Sequence, residues 1–88
     1  SGLGNEDMKN IGLLREYLRG EIKSIDELEK FLYLVPKRKE FSAEENRVLQ
    51  KKFFGHVYNL LIGLDTGPRI STFIWALDRN LVLRLLGD

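Results

Sequence analysis

The tripeptide Gly67-Pro68-Arg69 carries the sharpest chemical pattern in this 88-residue chain. Proline suits the first position of a helix, where its missing N–H is no loss. The pattern therefore predicts a helix opening at Pro68, with Arg69 on its first turn. The N–H groups of a first turn lack partners within the helix, and the positive end of the helix dipole lies there. A guanidinium beside them can hold a phosphate through two parallel hydrogen bonds. The plainer reading is an ordinary helix start in which Arg69 pairs with Asp65 or Asp78. Such starts are common, and the tripeptide alone favours the plainer reading.

Three further groups could touch an anionic polymer. Lys52, His56 and Asn59 fall at i, i+4 and i+7, with Lys51 and Gly55 alongside. This polar strip would suit backbone contacts or a base-edge hydrogen bond, or it is a solvated helix face. Lys37-Arg38-Lys39 would meet phosphates as a mobile basic loop, or serve as a charged connector. Trp75 lies off the apolar face of its helix, so it faces a partner or another domain. Phe53, Phe54, Tyr58 and Phe73 could likewise stack on unpaired bases, but a small helical domain uses most of its aromatics as core.

Charge distribution adds a weak bias. Residues 1–36 hold five Lys/Arg and seven Asp/Glu, residues 37–69 seven and four, residues 70–88 two and two. The positive excess therefore sits in the middle of the chain. The overall net charge is only +1, so composition does not announce nucleic-acid binding.

Much chemistry is excluded. Without cysteine there is no disulfide, thiolate zinc site or cysteine nucleophile. One histidine cannot build a His-rich metal site, and no nucleophile motif accompanies it. Glu44-Glu45 and Asp26-Glu27 sit in predicted first turns, where they complement the helix dipole. No apolar run approaches the ~20 residues of a spanning helix, so no membrane partner is expected. No signal peptide is visible, and Ser1-Gly2 resembles a cloning remnant. Residues 1–6 are expected to be tag-derived or disordered, and the chain an excised piece of a larger protein.

The elements that must position these groups are helical throughout. Ile11, Leu14 and Leu18, with Leu13 and Tyr17 beside them, predict a helix from Asp7 to Arg19, ended by Gly20. Ser24-Ile25-Asp26-Glu27 reads as a capping box opening a second helix to Val35, stopped by Pro36. Its inward residues are Ile25, Leu28, Phe31, Leu32 and Val35. Ser42-Ala43-Glu44-Glu45 opens a long third helix to Ile62, with Leu49, Phe53, Val57 and Leu60 as its core stripe. Phe54, Tyr58 and Leu61 widen that stripe, and Gly63 closes the helix. A fourth helix spans Pro68 to Leu77, with Ile70, Phe73, Ile74 and Leu77 apolar. Asp78 caps a fifth, Arg79 to Leu86, with Leu81, Val82, Leu85 and Leu86 inward. The fold class is all-α: one domain over residues 1–88, a compact bundle of about five short helices.

These residues carry a family resemblance. Phe53-Phe54, Tyr58 to Gly63, Asp65 to Ile70, Phe73 to Arg79 and Val82-Leu83 together resemble the C-terminal region of class I lysyl-tRNA synthetases. The anticodon-binding region of glutamyl-tRNA synthetases is similar more loosely. Residues 1–52 fit only as a helical lead-in. The family often has a second Gly-Pro soon after the arginine, where this chain has Ser71 and Thr72. The resemblance implies an anticodon-binding domain of a cytoplasmic enzyme that attaches lysine to its tRNA. ATP would belong to a catalytic domain elsewhere in the parent chain; no cofactor is expected in this piece. Partners would be lysine tRNA and that catalytic domain. Gly67, Pro68 and Arg69, with Tyr58 and Phe73 packed around them, are the positions the resemblance carries over. Lys37, Arg38, Lys39, Lys51, Lys52, His56, Asn59 and Trp75 are candidate tRNA contacts from the residues alone. The alternative is a helical docking module that meets protein and not tRNA.

Overall fold

The computed structural model describes residues 4–88. Five helices follow in order: α1 (Asn5–Leu18), α2 (Ile25–Leu34), α3 (Ala43–Ile62), α4 (Ile70–Ala76) and α5 (Arg79–Leu85). No strand occurs among the described residues, and the architecture is the expected all-α bundle. Ser1-Gly2 lies outside the described residues. Asn5 and Glu6 do not precede the first helix but form its first turn. Asp7 opens that turn by accepting a hydrogen bond from the Gly4 N–H at 3.3 Å.

α1 packs on α3 and α5, α2 packs on α4, and α5 also touches α3 and α4. Leu14, Leu18, Leu28, Leu32, Val57, Ile74 and Val82 are sealed at the centre. Burying each such side chain stabilises the fold by about 1.5–3 kcal/mol. Between α1 and α2, Tyr17 stacks on Phe31 with ring centres 3.8 Å apart. The Arg79 guanidinium donates to the Leu18 carbonyl at 2.8 Å. This satisfies a carbonyl that α1 leaves open at its C-terminal end.

Several sequence expectations shift in detail. Ser24 caps α2 by accepting from the Glu27 N–H, but Glu27 does not reciprocate. Its carboxylate instead accepts from the Tyr17 hydroxyl and the Lys23 N–H. Burial, reinforced by that carboxylate, pushes the Tyr17 hydroxyl up to about 12. The second capping box is complete: Ser42 accepts from Glu45 N–H at 3.1 Å, and Glu45 accepts from Ser42 N–H at 2.8 Å.

The buried face of α3 is Phe53, Val57 and Leu61 with Tyr58; Leu49 and Leu60 are only half-buried. On α5 the face is Val82, Leu83 and Leu86, while Leu81 and Leu85 are exposed. A segment apolar on almost every side leaves its phase to tertiary packing. Leu13, expected beside the core, is exposed too.

Candidate nucleic-acid interface

The turn between α3 and α4 is built on Tyr58. Gly63 ends α3 with φ 73°, the left-handed conformation its position needs. Gly67 is required for a different reason. A Cβ there would lie 2.9 Å from Tyr58 Cε1 and 3.1 Å from Ile62 Cδ1. The Tyr58 ring thus fills the space a side chain would take, and its hydroxyl donates to the Pro68 carbonyl. Burial raises the Tyr58 hydroxyl above its ordinary value.

The helix beyond this turn begins later than the sequence predicts. Pro68 precedes it and Arg69 is its N-cap, with φ −50° and ψ 122°. Arg69 pairs with neither Asp65 nor Asp78. Its Nη2 donates to Glu29 Oε2 of α2 at 2.8 Å, and Ser71 Oγ donates to Glu29 Oε1 at 2.9 Å. Ser71 is buried, although nothing in the apolar periodicity of α4 marks it. The Arg69 guanidinium, then the Ser71 hydroxyl, hold the Glu29 carboxyl below the usual carboxylate range. The anion that the Gly-Pro-Arg pattern calls for is already present, and it is a side chain of the same molecule.

The Lys52–His56–Asn59 strip also meets carboxylates of the same molecule. Asp7 of α1 lies 3.5 Å from Lys52 Nζ and 3.7 Å from His56 Nδ1. The His56 side chain is 21% exposed, and its Nδ1 is buried without a hydrogen-bond partner. Asn59 donates to Asp65 at 2.9 Å, tying α3 to the turn. Lys52 and Asn59 remain exposed while making these contacts, and His56 is half-buried between them.

The Lys37–Lys39 loop is also held. Asn46 accepts from the Arg38 N–H at 2.8 Å and donates to the Arg38 carbonyl at 3.0 Å. The Arg38 guanidinium meets Glu6 at 2.6 Å and Glu40 at 3.2 Å. Asn46 was not singled out from the sequence; an amide in the first turn after a basic loop is the signal that marks it. Among the described residues, no carboxylate lies within ion-pair distance of Lys37, Lys39, Arg47 or Lys51. Those four are exposed and open to an outside anion, as are Lys9, Lys23, Lys30 and Arg84, which stand in no ion pair among the described residues.

Among the described residues, three aromatics are exposed: Tyr33, Phe41 and Trp75. Trp75 is 43% exposed on α4, in keeping with its place off the apolar face. Tyr33, missed by the sequence reading, is 44% exposed on α2. Its ring meets Phe54 edge-on at 5.3 Å. An open groove of ≈ 490 Å³ runs past Tyr33, lined by Lys30, Leu34 and Lys37 with Asp26 and Glu29. No described helix is long and apolar enough to cross a membrane, and the described residues contain no cluster of three potential metal ligands.

An all-α bundle with this set of open cations is, by sequence comparison, a region related to aminoacyl-tRNA synthetases. The particular relatives are lysine–tRNA ligases. That of Streptomyces coelicolor is 38% identical over 74 residues, covering 74% of this chain and 13% of the relative. Those of Pyrococcus furiosus and Pyrococcus horikoshii are 36% and 35% identical over 63 residues, covering 72% of this chain and 11% of each relative. The chain thus spans between 11% and 13% of the length of these relatives. No protein-family model matches the chain. No solved structure matches it either.

Proposed function

We propose that this chain is the anticodon-end tRNA-binding region of a class I lysine–tRNA ligase. It grips lysine tRNA while a catalytic domain elsewhere in the parent enzyme uses ATP to charge the tRNA with lysine in the cytoplasm. The observation that carries this reading is the similarity to lysine–tRNA ligases across about three quarters of the chain. The geometry adds support: Lys37, Lys39, Arg47 and Lys51 are exposed cations without an internal partner among the described residues. Phosphate contacts of this kind position an RNA, and exposed aromatics suit its unstacked bases.

A second reading has one observation in its favour. Leu34, Val48, Leu64 and Trp75 are all exposed, as an interdomain docking surface would require. Titration with lysine tRNA, and with the same tRNA carrying a swapped anticodon, separates the two. The tRNA reading predicts tighter binding to the native anticodon. No binding to either RNA, by this chain and by the full-length parent, would overturn it.

A further inference from the structure

We propose that Tyr33 is the stacking platform for one unpaired nucleotide, with Lys30 and Lys37 on the flanking phosphates. The inference rests on the tRNA-binding reading above and narrows it to one face of α2.

Tyr33 is large, aromatic and 44% exposed, in a domain that needs its aromatics for its core. It is nonetheless not loose. Phe54 meets its ring edge-on at 5.3 Å with planes 73° apart. The ring is therefore held in place while a substantial part of its surface faces solvent. Such a ring loses little freedom when something stacks on it.

The surroundings give the ligand its class. Lys30 lies three residues before Tyr33, hence on the same side of α2. Lys37 follows four residues after, where the Lys37 N–H donates to the Leu34 carbonyl at 3.1 Å and keeps the chain beside the groove. Lys30, Tyr33 and Lys37 line one open groove. A smaller hollow beside it shares Tyr33 and Glu29 and reaches Arg69. An aromatic face bracketed by cations is the construction that binds single-stranded nucleic acid.

Two carboxylates also line the groove, and they refine the choice. Glu29 is taken up by Arg69 and Ser71, and Asp26 lies one turn before Lys30. They keep the groove only weakly positive. A duplex, which offers phosphates but no free base face, gains little there. An unpaired nucleotide gains the stacking surface as well.

The test uses the 88-residue chain, an RNA stem-loop with the lysine anticodon in its loop, and a blunt duplex of the same stem. Tyr33→Phe keeps the ring and should bind the stem-loop as the unaltered chain does. Tyr33→Leu keeps apolar bulk but removes the ring, and should bind the stem-loop roughly 10-fold more weakly. Its binding to the duplex should not change. Lys30→Gln with Lys37→Gln, both at exposed positions, should weaken stem-loop binding even if Tyr33→Leu perturbs folding. Full stem-loop affinity in Tyr33→Leu or in the double-glutamine variant would overturn the inference, as would equal losses on both RNAs, while leaving the tRNA reading intact. Failure of both the unaltered chain and the full-length parent to bind the stem-loop at low salt would overturn both.

Discussion

Two of the junctions that bring acids and bases together in this bundle use them differently. At the edge between α1 and α3, Glu6 and Asp7 face Arg38, Lys52 and His56. Acids from the net-negative first third of the chain thereby pair with two of the seven Lys/Arg of the net-positive middle. At the junction of α2 with α4, a single carboxylate, Glu29, takes donors from both Arg69 and Ser71. That pair sits among Tyr33, Phe54 and Tyr58. The first junction is a polar clamp; the second is a surface ion pair beside aromatic side chains. Charge counted along the chain therefore overstates what is open to a ligand.

The largest expected effect tests whether α2 supports the second junction. Leu32 is fully buried. Leu32→Ala should cost about 2–5 kcal/mol. A melting curve would show a drop of roughly 10–20 °C or more, and an unchanged melt would mean that α2 docks without its core residue.

A glycine pair sharpens the picture of the α3–α4 turn. A Cβ at Gly67 collides with the Tyr58 ring, whereas one at Gly55 meets only the Asp65 carbonyl at 3.8 Å, an ordinary contact. Gly67→Ala should destabilise by about 1–3 kcal/mol, because Tyr58 must move. Gly55→Ala, inside α3, should stabilise by up to about 1 kcal/mol. Opposite shifts in denaturation midpoint would verify that Gly67 is there for space.

The caps offer a smaller contrast. Ser42 belongs to a reciprocal box and Ser24 to a one-sided one. Ser42→Ala should cost about 1 kcal/mol and Ser24→Ala no more than that, both read by chemical denaturation. A larger loss at Ser24 would reverse the ranking.

The smallest effect concerns Glu29, and its sign follows from linkage. Its carboxyl is held below the ordinary range, by Arg69 first and Ser71 second. The stabilisation is present above the unfolded-state value and is lost as pH falls through the lower folded-state value. Glu29→Gln should therefore melt slightly below the unaltered chain at neutral pH. The gap should close on acidification; a gap that widens would mean that Glu29 does not titrate as an ion-pair partner.

Local signals in the sequence were largely sufficient for the helices. Ser42, Gly63 and Asp78 act at their own positions, through one or two neighbouring backbone groups. Leu28 and Leu32, or Ile70 and Ile74, share a face because helical spacing puts them there. Tyr58 beside Gly67 and Pro68, implied by the family resemblance, is where the structure places it. The candidate site was less legible. Whether Arg69 or Lys52 is free depends on Glu29 and Asp7, each about 40 or more positions away in sequence. No local pattern encodes those pairings. Tyr33 lies off the inward face of Ile25, Leu28, Phe31, Leu32 and Val35, as Trp75 lies off that of its helix, but nothing in the sequence shows that Phe54 holds its ring.

The central claim is that this bundle meets RNA through open cations and not through an apolar docking face. The affinity of the chain for lysine tRNA, measured across a range of salt concentrations, tests it most directly. The account predicts that log affinity falls linearly with log salt, with a slope of about −0.7 to −0.9 for each phosphate neutralised. Replacing Lys39 and Lys51 with glutamine should make that slope shallower by roughly two such contacts. Binding that is indifferent to salt, and equally indifferent to those substitutions, would contradict the account and assign the surface to docking against protein.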